Sequence, residues 1–469
     1  MVPQSLSERL ADFTSSLTLA DVPEEVREHA KLMMVDAFGV AVAACHLPHA
    51  RAVRAAVLQQ RSAPVATLWG TSEGSSAAGA VLANSSLIHG MDYDDTHVAG
   101  IVHPSASVVA TAFTVGEAVG ASGKDVLVAA LVGYEVAIRL GLAAHGGFHD
   151  RGFHGSGVVA PFAAACVAAR LMGLSKGVLV DALGICGSQA AALQQFLHDG
   201  SSVKKIHPGW GCHAALYALA MAQGGLTGPR EVFEGDYGLY ASHIGTAAFL
   251  DEAFGDLARG WRTREIAVKR YPCCHMIHSF SDCIFALRKE HPFALADVAR
   301  VECRIEGRCY RIVCVPEEAK RTPTTEYGMM FSLPYIVAVS LLKGRLGPAE
   351  IDLHQLRDPA LQDLLGKVTC IEDETRKGAG HFPGWIKITL KDGTVLQKSQ
   401  DYERGAPQNP IGAEEIVEKF RDNIAVDMQP ARGEAMLHAL RDLENSPDIA
   451  TILHLMPSGE EPPTAPIRA

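Results

Sequence analysis

The sequence predicts a mainly α-helical protein with a second, smaller α+β domain. Three observations carry this expectation. Apolar residues recur at helical spacing through the first half, strict alternation sets in after about residue 265, and helical spacing returns after Pro410.

Asp21 is placed to cap a first helix with Pro23 in its opening turn, and Val22, Val26, Ala30, Met34 and Ala37 follow at helical spacing. Further runs fit helices at about 75–89, 125–143, 157–172, 177–195 and 211–224. They are rich in Ala and Gly, so their axes can approach closely. In the next part, Val301, Cys303 and Ile305 alternate with Arg300, Glu302, Arg304 and Glu306, the period of a half-buried strand. Trp385 to Leu390 and Val395-Leu396 flank Asp392-Gly393, a pair favoured in a type I′ hairpin turn. Helical patterns at about 274–290, 326–343 and 352–365 are interleaved, and others at about 411–424, 432–445 and 448–455 close the chain. The expected division is therefore a helical domain from 1–264, an α+β domain from 265–405 and helices of 406–456 returning to the first domain. A tail at 457–469, with four prolines, is expected to be disordered.

Composition narrows the function. The 469 residues are 48% hydrophobic and 20% charged, with 42 Lys plus Arg against 53 Asp plus Glu. A net charge of −11 disfavours nucleic-acid and anionic-membrane partners. Glu135, Arg139 and Arg170 interrupt the most apolar stretches, so no membrane span is expected. Met1 to Phe13 has no apolar run, and the 11 cysteines form no CxxC pair. These features suggest reduced thiols in a cytoplasmic protein.

The densest polar cluster is His89-Gly-Met-Asp92-Tyr-Asp94-Asp95-Thr-His97, followed by His103-Pro104-Ser105. It admits three readings: a divalent-metal site, an Asp/His acid–base pair, or a loop whose carboxylates cap a helix. No HExxH-type spacing supports the first. Lys204-Lys205-Ile206-His207-Pro208-Gly209 and Lys269-Arg270-Tyr271-Pro272 place lysines at turns, where a compact point charge suits a carboxylate ligand. Surface placement is the plainer alternative for each. His154 precedes an apolar helix in Gly152-Phe153-His154-Gly155, and Tyr335 follows Phe331-Ser-Leu-Pro. Read singly, His154 is a helix-start residue and Tyr335 a core tyrosine; read as chemistry, both are proton donors. Neither GxSxG nor a Walker A motif occurs.

In chain order these segments resemble the MmgE/PrpD family. The matching stretches are His89 to His97 with His103-Pro-Ser, Gly133-Tyr-Glu-Val-Ala-Ile-Arg139, Gly152-Phe-His154 and Lys204 to Gly209. Gly225-Leu-Thr-Gly-Pro229 with Glu234-Gly235, Lys269 to Cys274, Phe331 to Tyr335 and Gly405 to Pro410 continue the series. The resemblance implies a helical domain built from both chain ends and an α+β lid, with the active site between them. It implies a cofactor-free, metal-free homodimer acting on a small di- or tricarboxylate. Carried over position by position, the implied catalytic residues are Asp92, His103, His154 and Tyr335, with Lys204 and Lys269 binding substrate. In that scheme His103 or Asp92 removes a proton next to a carboxylate, and His154 or Tyr335 returns one. The leading expectation is a hydro-lyase resembling 2-methylcitrate dehydratase. Alternatives are an iminodisuccinate epimerase-like or cis-aconitate decarboxylase-like enzyme and, without catalysis, a carboxylate-binding or structural dimer.

Overall fold

A computed structural model describes residues 4–246, 249–376, 381–425 and 427–459. Among them the chain forms two compact units. The first comprises the residues up to Gln194, Val203–Val268 and those from Gly412 onward; the second comprises Gln195–Ser202 and Lys269–Ile411. The divisions fall a few residues from the expected 264/265 and 405/406, and the short segment at 195–202 belongs with the second unit. Most of the proposed tail, from 460, lies outside the described residues.

The first unit is helical. Helix Gly155–Leu171 is central, packed by Pro104–Val119, Gly123–Ala143 and His207–Gln223. His207–Gln223 also lies along Ala77–His89. Glycine permits these approaches: a Cβ at Gly209 would sit 2.7 Å from the Leu82 carbonyl oxygen, and one at Gly211 2.8 Å from the Ala160 side chain. The helix that opens near residue 21 runs Glu24–Ala44 with Pro23 at its N-cap. Asp21 does not cap it; its carboxylate accepts from Thr18 instead and closes a 3₁₀ turn. Val26, Ala30, Met34 and Ala37 are all buried.

Two expected helices are shorter than their patterns. The helix expected at 177–195 ends at Gly187. Beyond it the backbone pairs with the His154 segment: His154 N–H donates to Ala192 O (2.9 Å) and Gln194 N–H to Gly152 O (2.8 Å). Long-range pairing there overrides local helical propensity. In the second unit the pattern at 326–343 is two helices, Glu326–Met330 and Leu333–Lys343. Ser332 caps the later one and Pro334 occupies its first turn, which starts a new helix rather than continuing the old one.

The second unit is built on a four-stranded mixed sheet in the order Val368–Glu372, Val298–Ile305, Gly384–Leu390, Val395–Gln400. The first pair is parallel and the others antiparallel. Val301, Cys303 and Ile305 are buried, as alternation requires. Helix His278–Glu290 covers the hairpin strands. The hairpin turn differs from expectation. Gly393 alone among its residues has positive φ (+89°), with Gly393 N–H to Leu390 O (3.0 Å) and Leu390 N–H to Thr394 O (2.8 Å). Such a loop is a type I turn closed by a glycine bulge, whereas type I′ needs two residues with positive φ.

Helix Gly123–Ala143 is long and apolar enough to cross a membrane by length and composition alone, with Glu135 and Arg139 interrupting its apolar run. It is packed inside the first unit, where its Arg139 Nε donates to Glu135 (3.1 Å) and both side chains are buried.

The returning C-terminal helix Ala413–Ile424 is anchored by Lys419. Its ammonium pairs with Asp36 of helix Glu24–Ala44 (2.7 Å), donates to Tyr93 O (2.8 Å) and lies 3.8 Å from the Tyr93 ring centroid. Both charges are buried, and burial raises the Asp36 pKa above the usual carboxylate range. Removing one partner of such a pair leaves an uncompensated charge. Lys419→Met should therefore destabilise the first unit by about 3–5 kcal/mol in urea unfolding. Adding Asp36→Asn should recover much of the loss.

Candidate functional site

The polar cluster begins where helix Ala77–His89 ends. Asp92 holds a left-handed backbone (φ +50°), a conformation Asp tolerates better than most residues, and its carboxylate accepts from the Lys204 ammonium. Both groups are buried. Lys204 sits in the 3₁₀ turn Ser202–Ile206, just before the helix that Pro208 opens and whose Gly209 lies close to the Leu82 carbonyl. The sequence therefore delivers this lysine to Asp92 by a turn, a proline and a glycine.

His89 Nδ1–H donates to Asp94 Oδ2 (2.7 Å), with both side chains fully enclosed. His103 Nδ1 faces the Asp95 carbonyl oxygen (2.8 Å) and Thr96 Oγ1 (3.1 Å). A carbonyl only accepts, so Nδ1 carries the proton and the lone pair of the neutral ring is on Nε2. Backbone N–H of His103 donates to Ser156 Oγ (2.9 Å), which ties the two histidine-bearing helix starts together.

His154, the N-cap of helix Gly155–Leu171, shares an Nδ1···Nδ1 hydrogen bond with His207 (3.2 Å). The His89, His103 and His154 rings form a triangle with centroids 5.2, 5.4 and 6.0 Å apart. Burial, then the Lys204 charge, then the other imidazoles hold His154 well below the usual histidine range. Burial likewise lowers His207 to about 3. Both are neutral at physiological pH.

Asp95 has a structural part. Its carboxyl accepts from Ser105 N–H (3.1 Å) and lies 2.6 Å from Ser105 Oγ, itself 2.7 Å from the Tyr134 hydroxyl. It thus caps helix Pro104–Val119 from outside. The helix-capping reading holds for this member of the cluster, while Asp92 and Asp94 pair with a lysine and a histidine. Among the described residues no three His, Cys, Asp or Glu side chains are arranged to hold a metal ion.

The first unit brings Asp92, His103, His154 and Lys204 together. His89, Asp94 and His207 join them. Their signal was present, since all three lie inside quoted motifs, but spacing alone does not say which residues of a motif face inward. Lys205 is buried too, with Nζ 3.4 Å from His49 Nδ1, so the plain surface reading fails for it. Burial, then the charge of Lys205, lowers His49 to about 3.

Lys269 and Tyr335 belong to the second unit, and both are buried. The Tyr335 hydroxyl donates to the Glu350 carbonyl oxygen, and burial raises its pKa. In this structure the hydroxyl proton is directed at that backbone carbonyl. In the same unit burial lifts Glu403 to about 7, and its Oε1 lies 4.0 Å from His275 Nε2. No sequence pattern marked Glu403 as titratable near neutrality.

Residues 8–250 match the MmgE/PrpD N-terminal domain and residues 271–444 the MmgE/PrpD C-terminal domain. The chain belongs to the MmgE/PrpD family. It is 26% identical to the cis-aconitate decarboxylase-like protein oryM of Aspergillus oryzae, over 97% of this chain and 98% of that one. It is 25% identical to human cis-aconitate decarboxylase over 99% and 96%. With the 2-methylcitrate dehydratase of Cupriavidus necator it shares 26% identity over 76% and 77%.

Burial raises Asp95 to about 8, above the roughly 3.9 of an unfolded Asp. Between those values the folded state holds a proton that the unfolded state lacks. This contribution to stability is complete below about pH 4 and is lost as pH rises toward 8. Thermal melts should show a decline across that window. Asp95→Asn, which keeps an uncharged cap, should flatten it.

Proposed function

We propose that the chain is a lyase acting on a small di- or tricarboxylate, through a carbanion formed next to a carboxylate, with loss of water as the leading reaction. The observation that carries this reading is the His103 tautomer. A dehydratase needs a base, and His103 presents the Nε2 lone pair in the same cluster as the Lys204–Asp92 pair. In this reading the base takes the α-proton and the C–H electron pair becomes the carbanion. Lys204 stabilises its charge in a site shielded from water. Asp92 keeps the ammonium oriented. The C–O bond then breaks, and His154 protonates the departing hydroxyl to give water. When His207 donates in their shared bond, the His154 proton is on Nε2.

Decarboxylation is the second reading, favoured because the decarboxylase relatives match nearly the whole chain whereas the Cupriavidus dehydratase matches 76% of it. There the C–C bond breaks, CO₂ leaves, and only the proton donor acts.

Incubation with 2-methylcitrate, cis-aconitate and iminodisuccinate in deuterium oxide, read by mass spectrometry and proton NMR, separates the reactions. Loss of water supports the first reading and loss of CO₂ the second. Deuterium uptake without change of formula supports epimerisation, and inertness toward all three removes the proposal. His103→Asn should lower kcat/KM by about 10²–10⁴-fold for dehydration. Lys204→Ala should lower it by about ten- to several-hundredfold, through loss of a charge-assisted hydrogen bond.

We also propose a homodimer. Helix His207–Gln223 exposes Trp210, Tyr217 and Met221, with His213 between the aromatic rings. Aromatic and Met side chains are enriched in interface cores. Light scattering should report a dimer, and Trp210→Glu with Tyr217→Glu should shift it to a monomer.

A further inference from the structure

The second unit holds a cavity of about 400 Å³ between the segment at 196–200 and residues 316–331. Its lining belongs wholly to that unit. Gly200 turns the chain with φ +68°, and its carbonyl accepts from Thr325 Oγ1 (3.2 Å). Phe196, Tyr327 and Phe331 line one part as a packed aromatic set, with ring centroids 5.0–6.4 Å apart. Lys320 also lines the cavity. Its residue is only 4% exposed, and no carboxylate is paired with it among the described residues. Burial pulls its pKa down to about 8. At neutral pH it is still largely an ammonium.

A buried ammonium with no carboxylate paired to it among the described residues is costly. An anion entering the cavity would offset that cost. The other lining determines what kind. The rings favour a flat apolar body, while the exposed Asp199 and Glu318 that also line the cavity oppose a second negative charge. We propose that this cavity binds a small monocarboxylate with an apolar body, its carboxylate on Lys320 and its body against Phe196, Tyr327 and Phe331. This ligand class differs from the polycarboxylate substrate proposed above, and the argument uses none of the histidine cluster.

Isothermal titration of the full chain with benzoate, succinate and inorganic phosphate tests the assignment. Benzoate should bind with a millimolar or tighter Kd and more tightly than the other two. Lys320→Met should weaken it by at least about tenfold, since it removes one charge-assisted bond. That variant replaces a buried charge by an apolar side chain of similar length, so its melting temperature should be no lower than that of the parent. A crystal soaked with 4-bromobenzoate gives a second readout that needs no variant: bromine should appear among the three rings, with the carboxylate at Lys320. No benzoate binding, equal binding by Lys320→Met, tighter binding of succinate or phosphate, or bromine only elsewhere would each overturn the proposal.

Discussion

The helical unit depends on the neutralisation of carboxylates buried in an apolar interior. Asp36, Asp92, Asp94 and Asp95 are all enclosed by a bundle rich in Ala and Gly, where an unpaired charge costs several kcal/mol. Each is met differently: Asp36 is paired with Lys419, Asp92 with Lys204 and Asp94 with His89, while Asp95, raised to about 8 by burial, is hydrogen-bonded to Ser105. The partners lie from 5 to 383 positions away in sequence. Meeting all four demands fixes the loop after His89 against three helices and ties the C-terminal helix back to the beginning of the chain.

Close packing makes those pairings reachable. Gly209 and Gly211 let helix His207–Gln223 settle against two neighbours, which sets Lys204 and His207 beside the loop. The backbone pairing of 192–194 with 152–154 then orients His154. Rigid supports of this kind hold acid–base groups near productive geometry without further reorganisation. The same burial that costs stability sets the protonation states. His154 and His207 are kept neutral by desolvation first, with the Lys204 charge adding to it.

The second unit solves a different problem. Its mixed sheet is covered by helix His278–Glu290, and the same unit buries Lys320 and Glu403. Burial moves Glu403 up to about 7 and Lys320 down to about 8, so both titrate close to neutral pH. Groups poised in this way are more often found at sites that bind or react than in plain scaffold.

Periodicity alone determined most of the architecture. The helical half, the alternating strand at 298–305 and the return of helix after Pro410 follow from which residues must be buried on which face. Motif order determined the family and brought forward Asp92, His103, His154 and Lys204. Tertiary structure decided the rest. It ended the helix at Gly187, because residues 192–194 gain more from pairing with 152–154 than from continuing a local helix. It assigned Asp95 to a helix start and Tyr335 to a backbone carbonyl, and it buried Lys205 against His49. Those outcomes depend on which donors and acceptors meet across long stretches of chain. A linear pattern carries the burial of a residue but not the identity of its partner, and the partner sets its charge.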